Sequence, residues 1–199
     1  MAKWILPALL LAGAALGRTP ATVAVLAGFE AAPARTAVEA MQEELDELFA
    51  PAGVSLEWYP LEGLSHLGQP DAVVAVRFTG SCEWKWTTSA RPVSGALAWT
   101  ARVDGELQPF ITLDCPRIAA LAGVPSYALL GQALGRVLAH ELYHYLTQQT
   151  AHTHTVLFRA DFRPRDLLEP GLKFDPSEVA ALRQALSGAG ARPVKLTAS

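Results

Sequence analysis

The sequence predicts an α+β (mixed α/β) fold, a twisted mixed sheet backed by helices. Three observations carry that expectation. Apolar, valine-containing runs of strand length flank one amphipathic helical stretch early in the chain. A second group of strand-like runs follows with no helix between them. The longest helical stretch, residues 125–146, is apolar nearly all round, the pattern of a helix buried within a core.

The elements follow in order. "ATVAVLAGFE" (21–30) reads as a buried strand. In residues 33–53, Val38, Met41, Leu45 and Leu48 recur at three- and four-residue spacing with acids between them, which predicts an amphipathic helix ended by Pro51 and Gly53. "VSLEWYPL" (54–61) alternates as a half-buried strand does. "DAVVAVRFTG" (71–80) is a further strand, after which "SCEWKW" begins a loop. Residues 95–105 and 108–115 read as two strands joined by a turn at Asp104-Gly105. After the apolar helix, Asp175 is the expected N-cap of a short helix over 174–188, with Pro176 at its first position and Glu178 closing a capping box. Residues 189–199 are expected to form a loose tail. No internal repeat or low-complexity linker divides the chain, so residues 18–188 are expected to form a single domain.

At 51% hydrophobic and 18% charged, the 199 residues are far from the composition of a disordered chain. The formal charge of −3 gives no basic bias, so nucleic acid is not an expected partner. Lys3 precedes an apolar run, Trp4 to Leu16, and "ALG" at 15–17 supplies small residues, so residues 1–17 read as a signal peptide. A retained anchor and a buried first helix are the alternatives. Cleavage leaves no stable membrane span, and the mature chain is expected to be secreted or periplasmic, and a monomer. In that oxidising setting Cys82 and Cys115 are expected to form a disulfide, which stabilises the fold by roughly 3–4 kcal/mol through loop closure. Neither has the Cys-x-x-Cys neighbour of a zinc site.

His140, Glu141 and His144 form an H-E-x-x-H pattern inside the apolar helix. Positions four apart lie one turn along a helix, so both imidazoles project from one face and can share one Zn²⁺. Glu141, between them, is placed to take a proton from a water that the metal acidifies. Two histidines and a glutamate on an apolar helix need a reason, because uncompensated buried charge is costly. Zinc supplies one, and satisfied core histidines are the other account.

A catalytic zinc needs a third protein ligand. His152 lies eight residues past His144, and a straight helix would carry it about 12 Å further along the axis. It can serve only if the chain turns back within "YLTQQTA", which holds neither Gly nor Pro. His154 is the next candidate, with Asp161 and Glu169 behind it.

On these residues the chain resembles the zincin metallopeptidases, and more particularly the metzincins. "HELYHYLTQQTAH" is also similar to the H-E-x-x-H-x7-H pattern of uncharacterised secreted bacterial proteins. The resemblance implies a zincin/metzincin-like sheet with an antiparallel edge strand, a backing helix and an active-site helix. It implies zinc held by His140, His144 and His152, Glu141 as general base, and a peptide or protein substrate. The metzincin spacing places the third histidine two residues earlier and turns the chain with a glycine, and both features are missing here. The Met-turn is missing too, since the only methionines are Met1 and Met41, and Phe158 is the candidate to fill its space. An extended substrate is expected to pair with an edge strand over 95–103. The alternative to a peptidase is a non-catalytic binding module on the same fold.

Other side chains have weaker patterns. Tyr143 and Tyr145 suit packing better than oxyanion stabilisation. Arg159 and Arg163 are candidates for a substrate carboxylate or for the surface. His66 reads as exposed, and Trp84, Trp86 and Trp99 either line a cleft or anchor loops.

Overall fold

Val23 to Leu26 are each 3% exposed or less, which a strand reaches only when both its faces are covered. They form the middle of β1 (Ala21–Phe29), which pairs in parallel with β2 (Val54–Pro60) on one side and β3 (Ala72–Thr79) on the other. The computed structural model describes residues 19–83, 95–123, 126–152, 155–157, 159 and 162–187. The expected signal peptide, most of the loop after Cys82 and the C-terminal tail lie outside these residues.

β3 pairs in parallel with β5 (Glu106–Asp114), and β5 pairs antiparallel with β4 (Ala98–Val103). The five-stranded sheet therefore has the order β2-β1-β3-β5-β4, with β4 as its antiparallel edge. The turn between β4 and β5 is made by Asp104 and Gly105, both at positive φ (51° and 85°), as a tight hairpin requires.

The apolar face of α1 (Arg35–Phe49) is Ala37, Met41, Leu45, Leu48 and Phe49, and it closes the crossover from β1 to β2. Val38, expected on that stripe, is only half-buried, one position off its centre. The long helix α3 (Tyr127–Thr147) packs on α1 and reaches across to β4 and β5. Gly131 and Gly135 let the two helices touch. A Cβ at Gly131 would lie 2.2 Å from the Ala37 carbonyl oxygen, and one at Gly135 3.0 Å from that of Met41. The next turn and a half of α3 carries the histidine pair toward the edge strand.

Two expectations need correction. The strand over 108–115 ends at Asp114, because the Asp114 carboxylate accepts from the Arg117 backbone N–H and caps a helix, α2 (Cys115–Ala122). Pro116 sits in that helix's first turn. The apolar helix runs 127–147 rather than 125–146, started by the Ser126 hydroxyl on the Ala128 N–H. The Cys82–Cys115 disulfide forms and ties the segment after β3 to the start of α2. α4 (Pro176–Ala185) has the expected capping box of Asp175 and Glu178. Among the described residues, no single helix is long and apolar enough to cross a membrane.

Candidate metal centre

The chain turns back after His144 without glycine because Gln148 takes the left-handed conformation itself, at φ 57°. Such a conformation strains a non-glycine residue, so something must hold it. The Gln148 side-chain amide does so in two directions. Its Oε1 accepts from the Leu107 N–H at 3.0 Å, and its Nε2 donates to the Leu107 carbonyl at 3.1 Å, extending β5 by a side chain. The same Nε2 donates to the Tyr145 carbonyl at 2.8 Å. α3 therefore ends at Thr147, and the chain returns toward its own histidines.

That return fixes both imidazoles. His140 Nδ1 lies 2.7 Å from the Leu157 carbonyl, and His144 Nδ1 is hydrogen-bonded to the Gln149 carbonyl. Carbonyl oxygens only accept, so each Nδ1 carries the proton and each neutral ring keeps its lone pair on Nε2. The two Nε2 atoms stand 3.0 Å apart. Two lone pairs facing at that distance repel unless a cation lies between them. His152 adds a third ring, with its centroid 5.3 Å from that of His140 and 5.2 Å from that of His144. One ligand atom from each histidine lies within 4.8 Å of the others. This group of three nitrogens can hold a metal ion, and its backbone carbonyls supply the outer hydrogen bonds that orient ligating imidazoles.

Glu141 faces the same cleft. Its Oε2 accepts from the Thr100 hydroxyl at 2.6 Å, which links the helix to edge strand β4. Burial pushes the carboxyl pKa up, against the Thr100 hydrogen bonds that pull it down. Burial also lowers His140 to about 4, with the Leu157 hydrogen bond opposing and the other histidines adding to the fall. His144 is lowered by burial too, opposed by Gln149 and assisted by His152 and Arg102. The cleft has a volume of about 520 Å³ and is lined by Ala98, Thr100 and Arg102 of β4, by Val137, His140, Glu141 and His144 of α3, and by Leu121, His152 and Phe162. The Phe162 ring packs edge-on against His140 at 5.5 Å.

In metal-free protein the neutral histidines make folding pH-dependent. His140 binds its proton more weakly folded than unfolded, so between pH 6.5 and 4 the unfolded chain holds more protons, and stability falls as pH drops. The full effect is about 3 kcal/mol. Chelator-treated protein should therefore lose urea resistance from pH 7 to 4.5. His140→Asn, whose amide can keep the bond to Leu157, should flatten that slope. An unchanged slope would discount the buried neutral ring.

The other candidates fall elsewhere. His154, Asp161 and Phe158 lie outside the described residues. Glu169 sits with Arg159 and Arg165 around a separate cavity. Arg159 faces Asp166 at 3.6 Å, and Arg163 is exposed with its backbone N–H on the same carboxylate. Tyr143 packs on Phe174 and donates to Gln149, while the Tyr145 hydroxyl donates to the Val73 carbonyl. His66 is exposed, and Trp99 is half-exposed outside the cleft lining. Trp84 and Trp86 lie outside the described residues. Sequence reasoning missed Thr100, Arg102 and Gln148. No local signal marked the bend, because glutamine is a good helix former and the partner that holds Gln148 is Leu107 on a distant strand.

A mostly parallel five-stranded sheet with an antiparallel edge, a backing helix and a histidine-bearing helix facing that edge defines a metzincin-like zincin fold. Archaemetzincin from Methanopyrus kandleri has a similar structure, with a TM-score of 0.51 over 85% of this chain and 97% of that one. At 13% identity the likeness is one of fold. No family model and no curated protein sequence matches the chain.

Proposed function

We propose that the protein is a secreted or periplasmic zinc-dependent hydrolase of peptide bonds, with His140, His144 and His152 as zinc ligands and Glu141 as general base. One observation carries this reading: two imidazoles are locked by carbonyls with their Nε2 lone pairs converging, and the third histidine stands over the same point. Three imidazoles with a fourth position left open are the donor set of a catalytic zinc. Zinc bound there supplies Lewis acidity for a water and for the scissile carbonyl. The fold shared with archaemetzincin supports the reading.

Glu141 takes the proton from the attacking water and returns it to the leaving amine. Its burial raises the carboxyl pKa toward the range in which a group both accepts and releases protons. Thr100 holds one carboxylate oxygen, and so fixes where the other points. β4 lies at the sheet edge beside the cleft, so an extended peptide can add to it as a further strand. In this reading residues 1–17 are a removed signal peptide, 18–188 the catalytic domain and 189–199 a tail, and the chain acts as a monomer. The Cys82–Cys115 disulfide supports export.

Purified protein should contain one zinc per chain by elemental analysis, and His152→Ala should lower occupancy at limiting zinc. Full occupancy in the variant would remove His152 from the ligand set. Zinc uptake without cleavage of a broad peptide library would favour the non-catalytic binding module.

A further inference from the structure

We propose that Arg102 is a specificity-determining residue that selects substrates bearing a carboxylate near the scissile bond, an inference that rests on the peptidase reading. The cleft lining is chemically mixed. Leu97, Ala98, Leu107, Leu121 and Val137 are among its apolar members. Arg102 and Thr150 join the histidines as polar ones. Ala98, Thr100 and Arg102 of β4 all line the cleft, Arg102 just past the irregularity in strand pairing that follows Thr100.

Arg102 is exposed, and no ion pair involves it among the described residues. Arg117, Arg136, Arg159 and Arg165 each face a carboxylate. Glu141, the acid in the cleft lining, is engaged by the Thr100 hydroxyl. The cleft therefore keeps a guanidinium available beside the histidines, and its planar fork matches a carboxylate with two parallel hydrogen bonds. The substrate that fits places an apolar side chain against Leu121 and Val137 and an acidic group against Arg102. That group is either an Asp or Glu side chain or the carboxylate at a chain end.

The test compares wild type, Arg102→Gln and Arg102→Glu, each loaded with zinc, on internally quenched peptides. The peptides carry Glu, Gln or Lys at each position around the cleaved bond, with free or amidated C-termini. Wild type should prefer Glu over Gln by about tenfold in kcat/KM, as a charge-assisted pair implies. Arg102→Gln should lose the preference, and Arg102→Glu should turn it toward Lys. Dependence on the free C-terminus assigns the carboxylate to the chain end; indifference to it assigns a side chain. Alongside, two hydroxamic acids identical except for a carboxylate or its amide are titrated onto the zinc-loaded proteins. Tighter binding of the carboxylate by wild type alone supports Arg102 whether or not any peptide is cut. Equal affinities, no binding of either compound, or a preference that survives in Arg102→Glu overturns the proposal. Uncut peptides with the hydroxamate preference intact overturn the peptidase reading alone.

Discussion

Glu141→Gln should abolish measurable peptide hydrolysis, a fall of about 10³-fold or more, while the protein still takes up one zinc per chain. The substitution is isosteric. The glutamine amide oxygen can still accept from the Thr100 hydroxyl at the 2.6 Å position, so the tie between α3 and β4 survives. Only the capacity to take a proton is removed. Because the carboxyl is buried and its pKa raised, losing it should not destabilise the fold, and the unfolding midpoint should hold or rise. His144→Ala gives the contrasting pattern, in which zinc and activity fall together. A Glu141→Gln protein that hydrolyses peptides at more than a tenth of the wild-type rate would remove Glu141 from the chemistry.

His140, Glu141 and His144 could be read in advance because their relation is local. Helix geometry places positions four apart on one face whatever the tertiary structure does. The strands were legible for the same reason, and the capping box at Asp175 was a local signal that α4 obeys. The approach of His152 was not legible in this way. It depends on a non-glycine residue held left-handed by a hydrogen-bonded strand 41 residues away, a partnership that no local pattern encodes. The Thr100 contact and the place of Arg102 depend likewise on the register of β4 against α3. α2 was missed for another reason: Asp114 and Pro116 serve equally to end a strand and to begin a helix, and the sequence favours neither.

Arg136→Met should destabilise the protein by about 3–5 kcal/mol, the cost of leaving one member of a buried ion pair alone. Arg136 is fully buried in α3, one turn before His140, among residues that are otherwise apolar. Its Nε donates to Glu44 on α1 at 2.7 Å, where the Glu44 side chain is 12% exposed. Its Nη1 donates to the Asp166 carbonyl at 3.2 Å, tying α3 to the segment that follows the histidine turn. Methionine fills much of the same volume, so the loss reflects charge and hydrogen bonds more than a cavity. Glu44→Leu in the Arg136→Met background should then restore most of the stability, because a whole buried pair can be exchanged for apolar side chains at little cost. What the double variant should still lack is the bond to Asp166, worth about 1 kcal/mol. If urea unfolding gives the single variant a loss below about 0.5 kcal/mol, the typical range for surface changes, the pair is not what joins the two helices. If the double variant regains stability but binds zinc less tightly, Arg136 also positions the histidine turn through Asp166. Wild-type zinc affinity in the double variant would confine Arg136 to joining α1 and α3.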